Sequence, residues 1–150
     1  MTDAMVKIKV PLPPNDPSRG EAEWMWADPV GENRFILRNV PVFAFGLSYG
    51  DALNATSVDG VTVFANVAER NGHSTYRMYL KADRQAPEVV ALLDRLKALW
   101  CDIEVATDKI IAVDVLPRAD IYTVYAALQE AEQRGVIEFE EGYCGHSLAK

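Results

Sequence analysis

Val6, Ile8 and Val10 alternate with Lys7 and Lys9, and this period of two predicts a strand over residues 5–10. Residues 11–20 are rich in Pro, Asn, Asp and Ser and read as a loop. Apolar-polar runs then recur over 21–29, 34–40, 48–55 and 61–70. Val30-Gly31-Glu32-Asn33 and Asp59-Gly60 read as turns, and residues 41–46 as an apolar connection. No helical period appears in this stretch. Short strands joined by tight turns find their packing solution in a small β-barrel-like half, assigned to residues 1–70.

After Asn71-Gly72 the texture changes. A strand over 74–80 precedes a helix over 86–100, in which Val89, Leu92, Leu93, Leu96, Leu99 and Trp100 share one face. Pro87 suits the first helical position and Glu88 the positive end of the helix dipole. Strands over 102–105 and 110–115 flank a turn at Thr107-Asp108. Asp120 is placed to cap a second helix with Val124, Tyr125, Leu128 and Ala131 toward the core, Gly135 marks its end, and 136–140 form the last strand. The order βαββαβ predicts a ferredoxin-like α/β sandwich over 71–150, with right-handed crossovers setting its first and last strands side by side and antiparallel. The expected class is therefore α+β.

Strand alternation sorts the faces of the predicted sheet. Tyr76, Met78, Leu80, Ile103, Val105, Ile111, Val113, Val115, Ile137 and Phe139 turn toward the helices. The other face carries His73, Thr75, Arg77 and Tyr79 with five carboxylates: Asp102, Glu104, Asp114, Glu138 and Glu140. On this reading it is an acidic face with Arg77 near its centre, either open or packed against the N-terminal half. RNA-binding sheets of this topology show aromatic and basic groups there instead.

Charge sharpens the picture. The 150 residues carry a net charge of −7, and the largest basic concentration is Lys7 with Lys9. Phosphate binding depends on clustered cations, so nucleic acid and anionic membranes are disfavoured partners; a protein with a basic surface is the expected one. No apolar run approaches the length of a membrane span, and no signal peptide is visible. The expected location is the cytoplasm. Cys101 and Cys144 fall at opposite edges of the predicted sheet, which argues against a disulfide between them.

Candidate chemistry gathers at a few places. Both histidines follow a glycine, in Gly72-His73-Ser74 and Gly145-His146-Ser147. The predicted topology brings His73, Cys144 and His146 toward one another, a set with zinc or nucleophile chemistry as one reading and hydrogen-bonded loop histidines as the preferred one. Arg77 with Glu138 or Glu140 reads first as cross-strand charge pairing and second as an anion clamp. Trp24 and Trp26 share a strand face and are expected to pack into the core, with a ligand-stacking platform as the alternative. Gly46-Leu47-Ser48-Tyr49-Gly50-Asp51 lacks the lysine of a phosphate loop and the spacing of a dinucleotide fingerprint; its glycines permit a bend, and Asp51 belongs to a turn.

Four stretches together carry a resemblance: Trp26-Ala27-Asp28-Pro29, the segment from Pro41 to Asp51, Arg70-Asn71-Gly72-His73-Ser74-Thr75-Tyr76-Arg77, and Glu140-Glu141-Gly142-Tyr143-Cys144-Gly145-His146. The chain resembles the bacterial proteins catalogued as "domain of unknown function 4265" from Val6 to His146. The resemblance implies a bacterial, cytosolic, single module and supplies no activity, so no residue role is carried over from it.

Three readings follow. In the first the protein is non-enzymatic and masks a partner, as an immunity protein or antitoxin does. Its expected binding residues are His73, Arg77, Asp114, Glu138, Glu140 and His146, with no catalytic residue, no metal and no cofactor. In the second it is a small-molecule or metal-dependent enzyme using His73, Arg77 and His146. In the third it is a homo-oligomeric regulatory module.

Overall fold

The computed structural model describes residues 4–14 and 20–148. Five strands, β1 (Val6–Pro11), β2 (Ala22–Gly31), β3 (Arg34–Leu37), β4 (Ala52–Val58) and β5 (Val61–Glu69), pair in chain order, each antiparallel to the one before. Such a meander has an odd number of strands, so its first and last run in the same direction. The ring accordingly closes with a parallel contact between β1 and β5 at Lys9 and Val63. Ile8, Val10, Met25, Ala27, Leu37, Leu47 and Leu53 fill the interior. The predicted loop after β1 falls partly on residues 15–19, outside the described residues.

The rest of the chain runs β6 (Ser74–Leu80), α1 (Pro87–Ala98), β7 (Cys101–Val105), β8 (Ile110–Val115), α2 (Ile121–Gln133) and β9 (Ile137–Tyr143). The strands form one antiparallel sheet in the order β7-β8-β6-β9. Pro87 opens α1, where its missing N–H has no intrahelical partner to lose. Asp120 caps α2: its Oδ1 accepts from the backbone N–H of Tyr122 at 3.0 Å and of Thr123 at 3.4 Å. Such a cap contributes about 1 kcal/mol. Tyr76, Met78, Leu80, Ile111, Val113 and Val115 from the sheet meet Val89, Leu92, Leu96, Val124 and Leu128 from the helices in a second core.

Several expectations are corrected. Trp24 and Trp26 do not enter a core: they are 49% and 42% exposed, while Met25 and Ala27 between and beside them are buried. Both phases of β2 are apolar, so alternation alone does not choose between them; the narrow lumen of five strands accepts Met and Ala and leaves the indoles outside. The strand predicted over 34–40 stops at Leu37. Beyond it the Asn39 side chain takes over, its Oδ1 accepting from the N–H of Trp26, and Pro41 has no N–H to continue a ladder. The strand predicted over 48–55 begins only at Ala52, because 48–51 close a turn in which Asp51 N–H donates to the Ser48 carbonyl at 3.1 Å. Trp100 and Tyr125, assigned to helix core faces, are half exposed. Trp100 lies past the end of α1 with φ 68°, under the Arg118 guanidinium. Of the two alternatives for the acidic sheet face, its centre takes the packed one, with Arg77 0% and Asp114 2% exposed, while Asp102 and Glu138 toward its edges stay exposed.

Candidate functional site

What covers the centre of that face is the connection between β3 and β4. Glu23 on β2 shapes the connection from the barrel side. Its carboxylate accepts from three successive backbone N–H groups, Val42 at 2.8 Å, Phe43 at 2.9 Å and Ala44 at 2.8 Å. Arg77 on β6 grips the same segment from the sheet side. Its Nη1 donates to the Ala44 carbonyl at 2.9 Å and its Nη2 to the Phe43 carbonyl at 3.1 Å. Its Nε lies 3.3 Å from Glu140 Oε1, and the Phe45 ring centroid is 4.6 Å from the guanidinium carbon. A charge withdrawn from water needs such a shell of partners, since an uncompensated one is strongly unfavourable.

Further polar contacts extend the seam. Ser48 and Thr75 hydroxyls are 2.8 Å apart, and Thr75 donates to the Leu47 carbonyl at 3.1 Å, which makes Ser48 the donor to Thr75. Gly46 N–H donates to the Gly142 carbonyl at 3.0 Å, and Val40 N–H to Glu104 at 3.1 Å. Asp51, buried, accepts from the N–H of Ser48 and of Asn71, each at 3.0 Å, and from Arg70 at 3.2 Å. Arg70 also donates to the Gly46 carbonyl and stacks over the Tyr143 ring.

The two histidines lie on this seam with separate partners. His73 Nδ1 is 2.7 Å from Asp114 Oδ1; a carboxylate only accepts here, so Nδ1 carries a proton, and the neutral tautomer matching this contact has its lone pair on Nε2. The Tyr49 ring stands 5.7 Å from it, tilted. His146 Nε2 donates to the Leu116 carbonyl at 2.8 Å, so its Nδ1 accepts from the Ser74 hydroxyl at 2.6 Å. Ser74 Oγ in turn accepts the Gly145 N–H at 2.8 Å. Gly145 passes so close to the His73 carbonyl that a Cβ there would collide with it. The chain segments bearing His73, Cys144 and His146 thus meet, while their side chains turn to different partners: Cys144 Sγ contacts the His146 carbonyl at 3.6 Å. Among the described residues no three His, Cys, Asp or Glu side chains converge as a metal ion requires.

Of the six residues singled out from the sequence, His73, Arg77, Asp114 and Glu140 lie in the seam, His146 closes its end, and Glu138 stands apart beside Lys81 at 3.3 Å. Sequence reasoning passed over Glu23, and it placed Thr75 on the sheet face and Ser48 and Tyr49 in a glycine-rich bend without giving them a role. The signal that could have found them is the apolar run Val42-Phe43-Ala44-Phe45, too hydrophobic for a connection in water and therefore a segment with something to cover.

On the outside of the barrel the displaced tryptophans form a stripe with the lysines opposite them across β1 and β2. Lys7 pairs with Trp26 and Lys9 with Trp24 in the strand register, with the ammonium groups 5.0 and 6.0 Å from the respective ring centroids. This is the geometry of cation–π contact.

The fold defines an α+β protein of mostly antiparallel sheet and two helices, with a polar seam where the connection between β3 and β4 lies on the sheet of the second half. The chain belongs to the family described as Domain of unknown function (DUF4265), whose model matches residues 23–139. It is also similar in fold to a hypothetical protein from Neisseria gonorrhoeae of known crystal structure, with a TM-score of 0.80 at 16% identity over 98% of this chain and 100% of that one. No curated protein matches the chain. No helix among the described residues is long and apolar enough to cross a membrane.

Proposed function

We propose that this protein is a non-enzymatic binding module of the bacterial cytoplasm that masks a partner protein, in the manner of an immunity protein or antitoxin. The observation that carries the reading is the exposure of Trp24 and Trp26, side by side on a rigid strand and braced by Lys7 and Lys9. Large aromatic side chains held in the open are the residues that dominate protein interfaces. The reading gains support from the polar side chains of the seam, which are already engaged: Arg77 holds the two halves together, and His73 with Asp114 and Ser74 with His146 are hydrogen-bonded within the second half. The net charge of −7 favours a partner with a basic surface, whose association slows as salt rises. On element order and strand order we assign the second half to the ferredoxin-like class, with the barrel as the part that presents the stripe.

The test is co-purification from native cells of the wild type and of a Trp24→Ala/Trp26→Ala double variant. Exposed substitutions leave folding within about 0.5 kcal/mol, so loss of a complex reports on the surface. A stoichiometric protein partner lost from the variant supports the reading; a complex indifferent to the variant, or none at all, removes it. If the stripe joins two copies of this chain instead, light scattering will give twice the chain mass for the wild type alone.

One observation favours a second reading, an enzyme or metal-binding protein using His73. Asp114 fixes that imidazole in the tautomer that leaves Nε2 as a base or ligand. A thermal-shift screen with divalent cations and small organic acids discriminates. Stabilisation that vanishes in His73→Gln supports this reading, and no shift with any compound dismisses it.

A further inference from the structure

A groove of about 310 Å³ lies on the helix side of the sheet, where α2 meets the end of β9. Tyr76, Tyr122 and Tyr125 line it together with Glu141, and no Lys, Arg or His is among its lining residues. The walls are braced. The rings of Tyr76 and Tyr125 meet edge-on at 6.2 Å, and Tyr125 meets Phe139 at 5.5 Å. At one end Tyr122 donates its hydroxyl to the Leu148 carbonyl at 2.8 Å. The Tyr76 hydroxyl donates to Glu141 Oε1 at 2.7 Å, the one side-chain hydrogen bond that Glu141 makes among the described residues. Burial, and then this hydrogen bond, push the Tyr76 phenol upward in pKa, so it stays a donor and holds the carboxylate in place.

We propose that this groove receives the side chain of a lysine or arginine from a protein partner. The faces of the phenol rings carry partial negative charge and attract a cation placed over them. Ile121 and Ala126 beside the rings supply apolar surface for an aliphatic stem. Glu141 supplies the single formal charge. A divalent metal is excluded by that count, since one carboxylate does not make a coordination shell. A free diamine is the poorer fit, because its second ammonium meets no second carboxylate among the lining residues. The inference rests on the reading of the protein as a binding module, but it uses a surface on the other half of the chain from the tryptophan stripe. The partner is then held at two places.

The experiment is a titration of the full chain, isotopically labelled for amide NMR, with the blocked peptide acetyl-Gly-Gly-Lys-Gly-Gly-amide and its arginine analogue. The same peptide with an acetylated lysine and free putrescine are the controls. The expected result is a set of amide shifts confined to 121–129 and 141–148 with the cationic peptides and none with the acetylated one. Glu141→Gln then weakens binding about tenfold. Tyr125→Leu, at a half-exposed position, is a second variant with the same expected loss should the first disturb the Tyr76 hydrogen bond. Shifts scattered over the chain, equal binding of the acetylated peptide, tighter binding of putrescine than of the peptides, or indifference to both variants overturns the proposal. The probe needs no native partner, so its failure removes the groove and leaves the tryptophan test standing. A failed tryptophan test with peptide binding intact removes the stripe instead.

Discussion

Arg77 on β6 and Gly142 on β9 lie so close that the guanidinium fills the space a Cβ at residue 142 would need. The nearest atom is Nη1, the one that donates to the Ala44 carbonyl. A methyl group here must displace either the buried guanidinium or the strand. Gly142→Ala is therefore expected to destabilise the protein by about 1–3 kcal/mol, the range for overpacking a filled interior. A lower urea midpoint at unchanged slope will show it; an unchanged midpoint will mean that the seam is looser than these contacts imply.

Removal of Arg77 itself reaches further. Arg77→Ala strips two carbonyl groups of their donor and takes from Glu140 its buried cation, leaving the Tyr79 hydroxyl as a donor to it. The expected loss is about 3 kcal/mol, at the lower end for a broken buried pair because Glu140 keeps partial access to water. Arg77→Lys keeps the charge and loses the fork that spans both carbonyls, so it should fall between wild type and Arg77→Ala. Chemical denaturation of the three proteins orders them, and a lysine variant as stable as wild type contradicts the role of the fork.

Ser74 joins β6 to the segment after β9 through one hydroxyl that donates to His146 and accepts from Gly145. In Ser74→Ala both bonds are lost at once. An expected cost of about 1–2 kcal/mol follows from leaving the Gly145 N–H without its acceptor. Faster amide exchange at Gly145 and His146, with β6 and β8 little changed, will confirm that the serine is a local clasp. Uniform acceleration across the sheet will show that it is part of the global core.

The two thiols differ in setting. Burial raises the Cys101 thiol from 9.0 to about 12, with Asp114 and Asp102 adding to the rise. At pH 8 a disulfide-exchange reagent is expected to titrate the partly buried Cys144 in the native protein and both thiols only after unfolding. The raised pKa also sets a pH dependence. The unfolded chain loses the Cys101 proton first, so the stability this thiol contributes is complete below pH 9 and disappears as pH climbs toward 12. Cys101→Ala should flatten that part of the alkaline stability curve. An alkaline limb of unchanged steepness places the sensitivity elsewhere.

The second half of the chain was legible in its sequence because both periods are clean there. Val89, Leu92 and Leu96 recur at helical spacing, and Tyr76, Met78 and Leu80 at strand spacing, and all six are buried. The first half resisted for a physical reason: where Trp24, Met25, Trp26 and Ala27 follow one another, both faces are apolar, and only closure of the ring decides which is inside. Arg77 was read correctly as facing away from the helices, while water and the N-terminal half stayed open as alternatives for what it faces. Alternation reports which side of a sheet a residue takes and says nothing about what lies on that side. His73 and His146 were placed at the same end of the sheet by topology, whereas their separate partners, Asp114 and Ser74, depend on side-chain directions that spacing does not encode.

The connection between β3 and β4 takes its anchors from strands made much later: Arg77 from β6, then Gly142 from β9. On a ribosome adding about 5–20 residues per second, roughly 5–20 s separate the synthesis of Gly46 from that of Gly142. Until those strands are in place the Phe43 and Ala44 carbonyls lack the Arg77 donor and the Gly46 N–H lacks its Gly142 acceptor, so the connection is unanchored on its sheet side. The nascent chain is therefore most exposed to unwanted association just before its last strand emerges, and slowing translation ahead of β9 should lengthen that vulnerable interval.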